Sequence, residues 1–355
     1  MANPLRTSDG THESRDAVLI ELTSSDGLVG WGENVAPSGV SYVGQSASDS
    51  YDVMRNVLVP ILVNEEVFVA DMFSQWWGVE GATFAKHALE SAVWDIHARS
   101  LSMSLAQCLV AERDSIEVGV VVGMHPSIDD VVREVMLRID EGYSRVKIKI
   151  GPGADREVLA AVRSAVGDSF ALQADANGAY SASDIDHLVS LDEFALQFIE
   201  QPFAADDLSS HAELAHRSFT SVCLDESVNS LADFLKAVDA GACDVINVKP
   251  SRVGGIREAV AIHDAAVDRG IDAWVGGMLE SGIGRAACLA LAGMPGFTLT
   301  PDLSASNRYF TSDITEPFVL VDGEIALPTG LGIGVVPRAE LLAQYADQIE
   351  TLFER

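Results

Sequence analysis

The sequence predicts an α/β protein built on a (β/α) barrel, with a separate α+β domain made by the N-terminal segment and completed by the C-terminal tail. Three observations lead there. From about residue 115 onward, short β-rich apolar runs alternate with helical patterns at an interval of ~25 residues, which suits a strand, a helix and two loops. The first 112 residues instead carry a strand–turn–strand signal followed by helices, and the tail returns to strand and Gly/Pro turns. The expected limits are 1–112 for the α+β domain, 113–303 for the barrel and 304–355 for the tail. A length of 355 residues agrees with two domains at roughly 150 residues each.

In chain order, residues 16–22 and 28–32 flank Ser24-Ser25-Asp26-Gly27, the signature of a hairpin. Residues 50–62 and Thr83–Ser100 read as helices, the second placing Ala85, Leu89, Ala92, Val93 and Ile96 on one face. Eight strand runs follow, at 116–124, 145–150, 170–177, 195–202, 221–227, 244–250, 272–278 and 297–302. Eight such units suit a barrel better than an open sheet. Residues 317–324 and 327–334 read as strands of the tail. No low-complexity linker separates the two domains, so a rigid packed pair is expected.

Composition excludes several classes of function. With 53 acidic and 23 basic side chains the net charge is −30, which repels phosphate backbones and anionic lipid. A hydrophobic content of 48% excludes disorder. The first thirty residues carry Arg6, Asp9, Glu13, Arg15 and Asp16 and lack the apolar core of a signal peptide. No uncharged run of ~18 residues could span a bilayer, so a cytoplasmic protein is expected. Cys108, Cys223, Cys243 and Cys288 form no CxxC pair; they read as small buried residues, with neither a zinc site nor a disulfide framework.

Three acidic residues end three consecutive predicted strands: Asp175 in LQADAN, Glu200 in FIEQP and Asp225 in CLDES. Their separations are equal, 200 − 175 = 25 and 225 − 200 = 25. In a barrel, neighbouring strand ends converge on one rim, where such enzymes do their chemistry. Three carboxylates gathered there repel one another unless a cation lies between them. All-oxygen donors point to a hard ion, Mg²⁺ first and Mn²⁺ as a substitute. The basic residues are lopsided, 18 arginines against five lysines. Lys147 and Lys149 alternate in RVKIKI and therefore share one face of their strand, and Lys249 ends DVINVKP. A lysine in an apolar strand is costly unless it is paired or faces a polar cavity. By strand count these lysines lie on strands two and six, on opposite walls of an eight-strand ring.

Metal on strands three to five, flanked by amines on strands two and six, can hold a carboxylate substrate with its α-carbon between two bases. Removing a proton next to a carboxylate needs strong charge stabilisation near neutral pH. A lysine must be neutral to take that proton. Lys147 beside Lys149, and Arg252 one turn after Lys249, are expected to lower the amine pKa. Arg252 has an alternative, pairing with an acid such as Glu226.

These residues resemble the enolase superfamily, muconate-lactonising subgroup. More narrowly, VKIKIGPGAD, ADANGAY, FIEQPF, LDES, NVKPSRVGG, WVGGMLESGIGRAA and DLSASNRYF resemble the o-succinylbenzoate synthase and N-acylamino-acid racemase family. The likeness runs from Leu5-Arg6-Thr7-Ser8 through GWGE at residues 30–33 to GLGIGV at residues 330–335. It implies a capping domain over a (β/α)7β barrel, with Asp175, Glu200 and Asp225 as Mg²⁺ ligands. It further implies Lys149 as general base, Lys147 as a cation near the substrate carboxylate, and Lys249 as the opposite acid/base. Asn177, Glu226, Arg252, Gly276, Gly277, Met278, Ser281 and Ser304 are expected to touch substrate or support the residues that do. The implied activity is dehydration of a cyclohexadiene carboxylate in menaquinone biosynthesis. N-acylamino-acid racemisation, alone or as a second activity, is the alternative. Dipeptide epimerase and muconate cycloisomerase chemistry stand behind these, and a catalytically dead metal-binding scaffold is the reading from a different class. A small carboxylate partner and a homo-oligomer are expected.

The chain departs from that family in three places. Met1-Ala2-Asn3 stands where relatives have a further strand, so either the start is misplaced or the capping sheet lacks an edge; the loop after Pro4 is retained. Asn34 stands where relatives have Cys, and Thr300-Pro301-Asp302 where they have PGD. The Gly276-Gly277 and Gly282-Ile283-Gly284 sequences do not follow the order of a dinucleotide fold and are expected to let substrate approach strand seven, or to pack tightly in turns. The eight histidines are expected to be solvated or structural. Trp76-Trp77 is expected to be packing rather than a substrate contact.

Overall fold

A computed structural model of the chain describes residues 1–2, 5–7, 10–38, 44–63 and 76–354; Pro4 and the Trp77 side chain lie outside what is described. Strands β1 (Leu5–Thr7) and β2 (Gly10–His12) form a short antiparallel pair. The hairpin expected next is present as β3 (Val18–Thr23) and β4 (Val29–Asn34), in antiparallel register from Val18 opposite Asn34 to Thr23 opposite Val29. Ser24 makes the turn: its hydroxyl accepts from Leu28 N at 3.0 Å, and its carbonyl from Gly27 N at 3.0 Å.

The helix expected at 50–62 runs from Ala47–Val53 through a π-helical turn, Met54–Leu58, into Val59–Val63. Pro60 offers no backbone donor, and a widened turn just before it fits that loss. The Thr83–Ser100 helix is as expected. Its Ala85, Leu89 and Val93 pack with Met54, Leu58, Leu62 and Trp76 in a small core of their own.

Seven parallel strands form the main sheet: β6 (Val120–Val122), β7 (Arg145–Lys149), β8 (Ala171–Asp175), β9 (Phe198–Glu200), β10 (Ser221–Leu224), β11 (Val245–Val248) and β12 (Asp272–Val275). Each pairs only with its neighbours in sequence, in the order β6 to β12. Helices such as Asp155–Val166, Leu231–Asp239 and Ile256–Arg269 intervene, so the sheet is a curled half-barrel of repeated strand–helix units.

Two strand expectations need correction. The run 116–124 is broken at Gly119: β5 (Ser115–Glu117) leaves the sheet and pairs antiparallel with β13 (Glu324–Ala326). The run 297–302 forms no strand, because Pro301 cannot donate to a ladder. It nevertheless bonds to both edges of the sheet. Thr298 N and Asp302 N donate to Ala273 and Val275 of β12 at 3.0 and 3.2 Å, and Pro301 O accepts from Gly119 N at 2.9 Å.

Among the described residues of the tail Glu324–Ala326 is the one strand, and it faces β5 rather than the N-terminal hairpin. The tail still reaches the N-terminal helices. Ile333 N donates to Asp95 at 2.9 Å, Leu105 N to Gly332 O at 2.6 Å, and Arg55 pairs with Glu350 at 2.7 Å.

Strand alternation sorts side chains onto the two faces of the main sheet. Val146, Ile148, Leu172, Ala174, Val222, Leu224, Ile246, Val248, Ala273 and Val275 face the helices and belong to the largest core. On the other face Phe198, Cys223, Val245 and Trp274 form a separate apolar cluster, the Phe198 and Trp274 rings stacking at 5.8 Å. That cluster is the floor beneath the polar residues at the strand ends. No described helix is long and apolar enough to cross a membrane.

Candidate active site

Lys147 and Lys149 follow Arg145 at period two on β7, and all three leave the strand on the same face as Asp175 of β8, the register partner of Lys149. Asp175 in turn faces Glu200 of β9. Glu200 faces Cys223 of β10, which puts Asp225, two residues on, on that same face just past the strand end. Lys249 follows β11 directly, and three strands separate β7 from β11. Regular pairing thus delivers acids and amines to the carboxyl edge of the sheet with no special loop.

Every rim acid is buried and faces a cation. Lys149 Nζ donates to Asp175 Oδ2 at 2.7 Å and to Asn177 Oδ1 at 2.5 Å. Lys249 Nζ donates to Asp225 Oδ2 at 2.7 Å. Lys147 Nζ lies 2.5 Å from Glu200 Oε2, 2.5 Å from Asp302 Oδ2 and 3.4 Å from Asp175 Oδ2, with the Trp274 ring 4.7 Å away. Burial alone would lower the Lys147 ammonium, but Asp302, Glu200 and Asp175 together raise it above the ordinary lysine range. Lys147, whose nearest charges are carboxylates, is thus held as a cation. Asp175 is depressed: burial opposes ionisation, and Lys149 and Lys147 outweigh it.

Arg252 pairs with an acid, as one of its two expectations had it, but with a different one. It is fully buried and pairs with Asp225, not Glu226, and it donates to Val228 O at 2.8 Å and to Asn247 O. Glu226 instead accepts from Asn177 Nδ2 at 2.9 Å, and burial raises its carboxyl against the pull of Lys249. Asn177, at φ 44°, thereby joins Lys149 to Glu226. A cleft of about 540 Å³ opens beside these two, lined also by Gln45, Thr83, Gln201, Phe203 and Asn229.

The structure brings Lys147, Lys149, Lys249, Asp175, Glu200, Asp225, Asn177, Glu226 and Arg252 together. The other expected residues sit beside the cluster, turned to neighbours of their own. A Cβ on Gly276 would lie 2.1 Å from Asn247 Oδ1, so tight packing explains that glycine. Gly277 lies against the Asp302 carbonyl. Met278 N donates to Glu280, Ser281 bonds Glu33, and Ser304 Oγ donates to Gly119 O. Sequence reasoning missed Arg145, Asn247 and Asp302. Asn247 Nδ2 donates to Glu200 Oε1 at 2.6 Å, and Arg145 pairs with Asp302. Extending period-two alternation back from Lys147 and Lys249 finds the first two.

Two rim loops are pinned from the N-terminal segment. Glu33 on β4 accepts from Ser281 N at 2.9 Å, Ser281 Oγ at 2.9 Å and Gly284 N at 2.8 Å, at the start of the Gly282–Ala292 helix. Arg15 donates to Met278 O at 3.1 Å. Glu90 of the Thr83–Ser100 helix accepts from Arg257 N at 2.9 Å, just beyond the turn that carries Lys249 and Arg252. Burial raises both Glu33 and Glu90 to about 7. Of the histidines, His87, His211 and His263 are buried, and His211 Nε2 lies 3.3 Å from Gln201 Nε2 and accepts from Phe203 N at 3.4 Å, beneath the cleft lining.

The rim acids fit a divalent cation by their donor chemistry. They are oxygen-only and buried, and the Lys147 ammonium already bridges Glu200 and Asp175. Among the described residues no three His, Cys, Asp or Glu side chains already surround a common point; ammonium and guanidinium groups share the carboxylates instead.

Fold and rim cluster together define an α/β enzyme with its polar machinery at the carboxyl edge of a parallel sheet. A family model described as enolase C-terminal domain-like matches residues 130–341, and one for the mandelate racemase / muconate lactonizing enzyme N-terminal domain matches residues 1–109. The chain belongs to this mandelate racemase / muconate lactonizing family of the enolase superfamily. It is 44% identical over 340 residues to an N-succinylamino acid racemase of Amycolatopsis sp, covering 96% of this chain and 92% of that one. It is 41% identical over 354 residues to an o-succinylbenzoate synthase of Geobacillus kaustophilus, covering 99% and 94%. A crystal structure of an enolase superfamily member from Listeria innocua Clip11262 superposes with a TM-score of 0.94 at 37% identity, covering 98% of this chain and 94% of that one.

Proposed function

We propose that this protein is a Mg²⁺-dependent o-succinylbenzoate synthase that also racemises N-succinylamino acids. The observation that carries the reading is the pair of amines, Lys149 at the end of β7 on one side and Lys249 just past β11 on the other, with Asp175, Glu200 and Asp225 between them. Relatives bearing both names match nearly the whole chain. The reading includes a closed (β/α)7β barrel in which residues 298–302 take the place of the eighth strand. It also includes division into a capping unit, residues 1–112 with tail 304–355, over a barrel at 113–303.

A divalent cation held by Asp175, Glu200 and Asp225 would supply the positive charge that a substrate carboxylate needs while its α-carbon loses a proton. Lys149 takes that proton. Its amine is aimed by Asn177 and Asp175, one acceptor on each side. In dehydration the adjacent hydroxyl then departs as water, taking up the proton that Lys149 removed, and the Lys249 ammonium need only stabilise negative charge across the ring. In racemisation Lys249 returns a proton to the opposite face, so both amines must transfer protons. Lys147, held as a cation, faces the carboxylate end of the site.

Lys149→Ala and Lys249→Ala separate the two reactions. Lys149→Ala is expected to lower both activities by about 10²–10⁴-fold, and Lys249→Ala to remove racemisation while sparing more of the dehydration. Assays of purified enzyme with each substrate, with α-proton exchange in D₂O, check this. Retention of both activities in both variants would overturn the assignment.

A further inference from the structure

We propose that Asp302 is a positioning residue for the cation-binding carboxylates: it holds the Lys147 ammonium and so leaves Glu200 and Asp175 available to a divalent cation. The inference rests on the metal-dependent reading above. Lys147 Nζ is shared among Glu200 at 2.5 Å, Asp302 at 2.5 Å and Asp175 at 3.4 Å. Two of these three acids are proposed cation ligands; Asp302 is not.

Asp302 is itself firmly placed. Its second oxygen takes Arg145, whose other nitrogen donates to Thr300 O at 2.7 Å, and its backbone N donates to Val275 O at 3.2 Å. Trp274 lies beneath both cations, 4.7 Å from Lys147 and 5.7 Å from Arg145. A buried ammonium needs a carboxylate. With Asp302 present, Lys147 keeps one when Glu200 and Asp175 turn to a divalent cation. Without Asp302, Glu200 and Asp175 are the carboxylates left to Lys147, and a divalent cation must compete with the ammonium for both. Groups that orient metal ligands in this way typically change metal affinity by about 10–100-fold when lost.

The test is calorimetric titration of Mn²⁺ into chelator-stripped wild-type enzyme and into Asp302→Asn, Lys147→Met, the double variant and Glu200→Gln, with circular dichroism to verify folding. Wild type is expected to bind Mn²⁺ and Glu200→Gln to bind it far more weakly; if neither holds, the metal-dependent reading falls and this inference with it. Given binding, Asp302→Asn is expected to lose about 10–100-fold in affinity. The same change made on top of Lys147→Met is expected to cost less than about threefold, because the ammonium it restrains is gone. Unchanged affinity in Asp302→Asn would overturn the inference, as would an equal loss in both backgrounds, which marks a general charge effect. Should Asp302→Asn alone not fold, the double variant read against Lys147→Met decides: a loss below about threefold supports the inference, and a loss of about 10–100-fold refutes it, because the carboxylate then acts without the ammonium.

Discussion

Replacing Glu33 by glutamine should flatten the dependence of stability on pH between 4.5 and 7. Burial against the Gly282–Ala292 helix raises the Glu33 carboxyl from 4.5 to about 7, while the Ser281 and Gly284 donors hold the rise back and Glu280 adds to it. Arg15 is the cation nearby, between β4 and the loop at Met278. The folded carboxyl therefore keeps its proton to a higher pH than the unfolded one. Over that window the folded state binds more protons, so stability falls as pH rises. The contribution is complete below pH 4.5 and gone once pH has passed about 7. A displacement of that size corresponds to about 3 kcal/mol. Asp302 and Asp175, whose carboxyls are depressed, act at more acid pH, whereas Glu90, also raised to about 7, adds a slope of its own to both proteins, so the difference between them reports Glu33. Urea unfolding of wild type and Glu33→Gln, in steps from about pH 5 to about pH 8, measures the difference in slope. Glutamine offers one acceptor oxygen where Glu33 uses two, so the variant is also expected to be less stable throughout, and the slope rather than the offset is diagnostic. Parallel curves for the two proteins would refute the reasoning.

Stripping divalent cations with a chelator should abolish both activities, with recovery on adding Mg²⁺ or Mn²⁺, and leave the far-ultraviolet circular dichroism unchanged. Lys147, Lys149, Lys249 and Arg252 already neutralise the rim acids; activity that survives chelation, or a collapse of the fold, would contradict this. Gly255→Ala should destabilise the protein by about 2 kcal/mol or more, because the position has φ +152° and an added Cβ would fall 1.2 Å from Glu90 Oε2. A thermal melt that matches wild type would show that the Glu90 contact is not held.

Much of this protein is legible from residue order. The parallel strands β7 to β12 are short and bounded by turns, and each falls inside its expected run. Asp175, Glu200 and Asp225 could be found because sheet pairing turns a 25-residue spacing into adjacency at one edge. Lys147 and Lys149 could be found because period-two alternation reveals which residues share a face. Expectation failed where a residue's partner comes from a distant segment. Residues 297–302 are apolar enough to read as a strand, yet Pro301 breaks the ladder. Residues 327–334 read the same way, yet their long-range backbone bonds go to residues 95, 103, 105 and 114.

What the sequence determined by itself is the repeat, the rim and the kinds of side chain that occupy it, because strand alternation and unit length are local properties. What the tertiary structure decided is the pairing of charges: Arg252 with Asp225 rather than Glu226, Asn177 between Lys149 and Glu226, and Lys147 held by Asp302 from a segment that is not a strand. The tertiary structure also placed Glu33 and Glu90 beneath the rim loops of a distant part of the chain. A buried charge takes its protonation and its role from whichever opposite charge or donor packing places within reach. That distance is a property of the folded chain and is not written in the spacing of its residues.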